Sequence, residues 1–126
     1  MNNEITHKLW EDYPEIFPKN ERGYRVGFGC DDGWYNHINA LCATIMLFCK
    51  DHGDSVPLAS QVKEKYGGLR FYVQSATVEL YDLIERFELE AEYVCEVCGE
   101  RGKIRNVNNW YKALCDKHYY ERRDNG

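Results

Sequence analysis

Cys95-Glu96-Val97-Cys98-Gly99, with sixteen residues between Cys98 and the Cys115 of Cys115-Asp116-Lys117-His118, is the stretch that organises this sequence. Two pairs of donors, each with two residues between its members, fit a tetrahedral ion. Each pair makes a tight turn with both ligands on one side of the metal, and the spacer folds back to bring the pairs together. Gly99 relieves the backbone where it curls round the first pair. Three thiolates and one neutral imidazole on Zn²⁺ leave a net −1, which Arg101, Lys103 and Lys117 are placed to offset. Four protein ligands close the coordination sphere, so zinc held by Cys95, Cys98, Cys115 and His118 is expected to be structural. A redox-active Cys95-x-x-Cys98 pair is the alternative. Cys115 and His118, by completing the set, favour the metal.

The spacer carries Ile104, Val107, the turn-prone Asn108-Asn109 and Trp110, a pattern for a small hairpin, and a short helix would run from Cys115 to Arg122. Knuckle, hairpin and helix in that order resemble a treble-clef zinc finger. Upstream, Leu80, Leu83, Ile84, Phe87 and Ala91 form the apolar stripe of a helix capped by Ser75 or Thr77. Trp34, Ile38, Leu41, Cys42, Ile45, Phe48 and Cys49 mark an earlier helix, with Asp32 expected as its N-cap and Gly53 as its stop. Residues 24–30 read as a short strand. Leu9, Trp10, Tyr13, Ile16 and Phe17, interrupted by Pro14 and Pro18, form an arm that pins aromatics onto the core. The expected fold is α+β: a short antiparallel sheet built on a 58–74 hairpin, packed by two helices. Residues 1–94 would be the core with its arm, and 95–126 a zinc module docked on it.

Gln61-Val62-Lys63-Glu64-Lys65-Tyr66-Gly67-Gly68-Leu69-Arg70-Phe71-Tyr72-Val73-Gln74 is the hairpin. A two-residue turn at Gly67-Gly68 sets Lys65 opposite Arg70, Lys63 opposite Tyr72 and Glu64 opposite Phe71. Alternation then gives an apolar face (Val62, Tyr66, Leu69, Phe71, Val73) and a basic one (Lys63, Lys65, Arg70, Tyr72). Two features conflict with simple folding rules. Like charges face each other at Lys65 and Arg70, and Glu64 falls on the apolar side. Such conflicts are where binding sites are found. Lys63, Lys65, Arg70 and Tyr72 are therefore candidates for recognising an anion, with Glu64 paired internally or reaching the ligand. The plainer reading is that the acidic second helix or solvent covers this face, and a longer turn would shift the register.

The chain has 126 residues and a net charge of −5, with 44% hydrophobic content and 18 aromatics, which excludes a disordered chain. The acidic balance counts against a generic nucleic-acid binder. It conceals an uneven distribution: residues 79–100 carry eight acids and one Arg, and residues 101–123 seven bases and two acids. The basic segment could touch phosphates, or sit against the acidic one in this chain or a partner copy. No stretch has the length or apolarity of a membrane span or export signal, so a cytoplasmic protein is expected. Cys42 and Cys49 read as small core hydrophobes, while Cys49-x-x-His52 with Cys30 or His37 is a weaker second metal site. Gly27-x-Gly29-x-x-x-Gly33 is a poor phosphate loop, because Asp31 and Asp32 occupy the place of the anion. No Ser-His-Asp set, Cys-His dyad with a third member or zinc-hydrolase motif is present.

Tyr13-Pro14-x-Ile16-Phe17, Cys30-x-Asp32-Gly33-Trp34, the Lys63-Glu64-Lys65-Tyr66-Gly67-Gly68-Leu69-Arg70-Phe71-Tyr72 core and the Cys95–His118 cluster, in this order, resemble a family of small phage and bacterial proteins. His118 stands where that family's pattern has a fourth cysteine, a change zinc tolerates. The resemblance implies a phage or mobile-element setting, hence a bacterial host cytoplasm, and no mechanism. The leading expectation is a non-enzymatic, zinc-stabilised binding module. Its partner would be a protein, such as a host or defence factor, or a small anionic or nucleotide ligand; oligomers are possible. Alternatives are a nucleic-acid accessory protein using residues 101–123, and an enzyme with Glu64 as acid or base.

Overall fold

The hairpin forms, but its turn lies one residue earlier than alternation around Gly67-Gly68 predicts. In the computed structural model, which describes residues 1–125, β2 (Ala59–Lys65) pairs antiparallel with β3 (Gly68–Val73). The turn residues are Tyr66 and Gly67, both with positive φ (53° and 84°), as the primed turns that match strand twist require. The partners are Lys65↔Gly68, Glu64↔Leu69, Lys63↔Arg70 and Val62↔Phe71. β3 has slipped by two residues, so the paired side chains keep their expected faces while their partners change. Tyr66, expected on the apolar face, leaves the strand for the turn and is exposed. The opposed cations are thus Lys63 and Arg70, and Lys65 faces a glycine. The cause is tertiary. Gly67 lies where a Cβ would come within 3.3 Å of the Ile104 side chain and the Lys112 nitrogen, so the turn is seated against the second hairpin.

The sheet is not wholly antiparallel, because β1 (Phe28–Gly29) joins β2 in parallel to give the order β1-β2-β3. β3 is an edge strand, and α3 (Val78–Ala91) packs against it. The Glu88 carboxylate of α3 accepts from the Phe71 N–H at 2.7 Å, satisfying an edge donor that pairing leaves free. Burial pushes the Glu88 carboxyl up from its usual range, against the pull of that N–H and of Arg70. Thr77 caps α3 by accepting from Leu80 N at 3.2 Å.

α2 (Tyr35–His52) packs on α3 and ends at Gly53 in the left-handed conformation. Its apolar stripe is the one the helical spacing predicts, with Ile38, Leu41, Cys42 and Ile45 fully buried. Asp32 does not cap it. A 3-10 turn, Asp32–Trp34, precedes the helix, and the Asp32 carboxylate instead accepts from the backbone and side-chain nitrogens of Asn2. α1 (Asn3–Asp12) and the segment after it bury Leu9, Ile16 and Phe17 in the core with Trp34, Val62, Leu69 and Phe71. Trp10 and Tyr13, each half-buried against the core, bond by the polar tip, to Val26 O and to Asn39. After α3, β4 (Lys103–Val107) and β5 (Trp110–Leu114) form a hairpin closed by Asn108-Asn109, and α4 (Asp116–Asn125) follows. No helix among the described residues is long and apolar enough to cross a membrane.

Candidate metal centre and the cleft beside it

The Cys95 turn precedes β4, and Cys115 and His118 stand at the start of α4, so the β4-β5 hairpin carries the two halves of the donor set together. Sγ of Cys95, Cys98 and Cys115 and Nδ1 of His118 all lie within 4.8 Å of one another. Cys98 Sγ is 3.8 Å from Cys115 Sγ, and His118 Nδ1 is 3.7 Å and 3.2 Å from Cys95 Sγ and Cys115 Sγ. A tetrahedron with metal–sulfur bonds of about 2.3 Å has edges of about 3.8 Å, so the spacing fits one ion. Burial pushes the Cys95 thiol up, but the N–H groups of Cys115, Cys98 and Val97 outweigh it and hold it down at about 7. Burial and the neighbouring thiols of Cys95 and Cys115 push Cys98 up to about 11. Such a group of four can hold a metal ion.

Two glycines allow the turn to lie against the rest of the protein. A Cβ on Gly33 would stand 2.4 Å from Cys95 O and 2.5 Å from Glu96 O, where Gly33 N now donates at 2.8 Å to Glu96 O. Gly99, at φ 84°, faces Gly33 from the other side. Between the ligands of the first pair, Glu96 points inward and is only 1% exposed. Its Oε2 accepts from Asp31 N at 2.9 Å, and its Oε1 has no hydrogen bond but lies 3.5 Å from Lys112 Nζ. Lys112, 8% exposed, donates to Asp31 Oδ2 at 3.0 Å. Burial pushes the Glu96 carboxyl up, opposed by the Asp31 N–H and the Lys112 ammonium. A buried charge cluster thus joins the metal turn, β5 and the start of the 3-10 turn.

The chain matches no protein-family model, no curated protein and no solved structure. What the site can do must therefore be read from its geometry.

The five hairpin candidates divide between two places. Lys63, Glu64 and Lys65 line an open cleft of about 410 Å³ with Tyr66, Asn109, Trp110 and Tyr111. Arg70 and Tyr72 line a separate groove against α3, among Tyr81, Glu85, Glu88 and Glu92. The acidic helix therefore covers one end of the basic face and leaves the other open. Neither Lys63 nor Lys65 has a carboxylate partner among the described residues; Lys65 Nζ lies 5.8 Å from the Tyr66 ring centre. Glu64 accepts from Gly67 N at 3.2 Å through one oxygen, and the other has no hydrogen bond among the described residues. A second cleft of about 420 Å³ shares Glu64 and Trp110 with the first and runs on towards Asp31 and Arg122.

Trp110 and Tyr66, 62% and 72% exposed, are functional candidates that alternation assigns only to turns and strands. The backbone marks them. Among the described residues, the non-glycine positions with positive φ are Tyr66, Asn108 and Asn109, and all three lie at the tips of the two hairpins. Asn tolerates that conformation; an aromatic residue there costs on the order of 1 kcal/mol or more and marks functional sites. Tyr preceding Gly-Gly, where Asn would serve a turn better, is the sequence signal for it.

The basic segment is largely engaged. Arg105 pairs with Asp116, Lys112 with Asp31 and Glu96, and Arg123 with Asp124, while Arg122 lies 4.0 Å from Asp31. Arg101, Lys103 and Lys117 have no carboxylate partner among the described residues. Of the acids in 79–100, Glu96 alone pairs with a base of 101–123 among the described residues.

Cys30, Cys42 and Cys49 are buried thiols, each with its pKa raised by burial, Cys30 to about 12. No second metal-holding group of cysteine, histidine and carboxylate occurs among the described residues. His52 bonds Phe48 O within its own helix, and His37 bonds Phe87 O across to α3, each a structural contact.

Proposed function

We propose that the protein is a non-enzymatic binding module in which structural zinc at Cys95, Cys98, Cys115 and His118 holds the second hairpin against the first. The cleft between them receives an anionic ligand that carries a flat ring. The observation behind this is the meeting, in one open cleft, of two unpaired lysines from the first hairpin with exposed Trp110 and Tyr111 from the second. A volume of about 410 Å³ lies within the range of small-molecule sites. Lysines without partners attract anions, and aromatic faces give large contact area at low entropy cost. The donor chemistry favours zinc: three thiolates with one imidazole in a tetrahedron suit it better than harder cations. The order of turn, hairpin and helix supports the treble-clef likeness, with residues 95–126 as the zinc module. The likeness to phage and bacterial proteins supports a mobile-element setting, in which the ligand or a host protein would be captured from the bacterial cytoplasm.

Lys63→Glu with Lys65→Glu should weaken binding of inorganic tripolyphosphate, measured by calorimetry, at least about tenfold. Zinc content and the circular dichroism spectrum should be unchanged, because both side chains lie at the cleft rim. Equal tripolyphosphate affinity in wild type and variant would exclude the cleft as the anion site. The nucleic-acid reading draws less support, because four of the seven bases in 101–123 lie in or beside ion pairs.

A further inference from the structure

Resting on that reading of the cleft, we infer that its ligand is a guanine nucleotide, selected through Glu64. Three requirements narrow the ring. It must stack, because Trp110 offers an exposed indole with no ring partner among the described residues, and Tyr66 is held in a costly conformation at the same rim. It must be attached to an anion, because Lys63 and Lys65 flank the same opening. It must also present hydrogen-bond donors to a carboxylate. Glu64 stands on the face that carries Val62, Leu69 and Phe71, and one of its oxygens is anchored by the Gly67 N–H at 3.2 Å.

That anchored carboxylate discriminates among bases. An ionised carboxylate only accepts. Guanine presents two adjacent donors on its Watson–Crick edge, the ring N–H and the exocyclic amino group, which match both oxygens. Adenine presents one amino group beside a ring nitrogen that accepts, and that nitrogen would be set against a carboxylate oxygen. Uracil and thymine present a ring N–H between two carbonyls. A polar group in a site that the wrong base leaves unpaired or repelled is the strongest source of discrimination available to a small pocket.

The metal-loaded full chain should be titrated with GTP, ITP, ATP and inorganic tripolyphosphate, following Trp110 fluorescence and calorimetric heat. GTP should bind at least about tenfold tighter than ATP. ITP, which lacks only the exocyclic amino group, should fall about tenfold below GTP. Glu64→Gln should abolish the GTP preference while tripolyphosphate binds at least as tightly as before, because a negative charge leaves the cleft that Lys63 and Lys65 line. Because the ITP comparison varies the ligand, it decides the matter even if that variant does not fold. ATP or ITP binding as tightly as GTP would overturn the guanine assignment and leave the anion cleft standing. Tripolyphosphate matching GTP would overturn any role for the ring. No binding of any of the four would remove both the assignment and the cleft reading beneath it.

Discussion

Stripping the metal should unfold the C-terminal quarter of the chain. A strong chelator, or Cys115→Ser, should abolish amide-exchange protection throughout β4, β5 and α4. The reason is the shortage of apolar contact there. α4 buries no side chain among the described residues, and from 95 onward Cys95, Ala113 and Leu114 are the only buried apolar residues among those described. A hairpin alone is marginal in water, and a ten-residue helix without an apolar face is below the length at which helices persist. Structural zinc supplies about 10–16 kcal/mol in comparable small sites, far more than those contacts provide. Trp110 would leave the cleft with the hairpin, so tripolyphosphate and nucleotide binding should vanish together with the protection. Retained protection in β4-β5 after complete metal removal would show that packing alone suffices.

Lys112→Ala should cost about 3–5 kcal/mol in urea denaturation, far more than its place in a basic run implies. The substitution would leave the Glu96 carboxylate, 1% exposed, with the Asp31 N–H and no cation. The double variant Glu96→Leu with Lys112→Met should recover most of the loss, since removing both charges also removes the desolvation penalty. A Lys112→Ala variant within about 0.5 kcal/mol of wild type would mean that the ammonium behaves as a solvated surface charge.

The cluster of Cys95, Cys98, Cys115 and His118 was legible because tetrahedral coordination imposes a spacing that few other uses of cysteine require. The two long helices were legible from their apolar stripes, which Trp34 to Cys49 and Leu80 to Ala91 repeat with few exceptions. The hairpin's faces could be read, because alternation survives a two-residue slip, but its register could not. The turn position is fixed by the seating of Gly67 on Ile104, a contact between segments 37 residues apart in the sequence. For the same reason Asp32 looked like a helix cap: local pattern cannot reveal that Asn2 reaches it first. β1 is two residues long and carries no period at all. Lys112 belongs in sequence to a basic run that could touch phosphates, yet Asp31 and the buried Glu96, remote in the chain, hold it inside. The cleft was half visible. Glu64 announced itself by falling on the apolar face, and Lys63 and Lys65 by lying on the basic one, although the like charge facing Arg70 is Lys63 and not Lys65. Trp110 acquires its meaning only when the second hairpin is folded back against the first.

X-ray absorption at the zinc edge, on purified protein with its metal content determined, addresses the centre itself. One zinc per chain, with three sulfur scatterers at about 2.3 Å and one nitrogen at about 2.0 Å, is the expected spectrum. Well-folded protein without a stoichiometric metal, or a zinc surrounded by oxygen and nitrogen alone, would contradict the claim that Cys95, Cys98, Cys115 and His118 clasp a single ion.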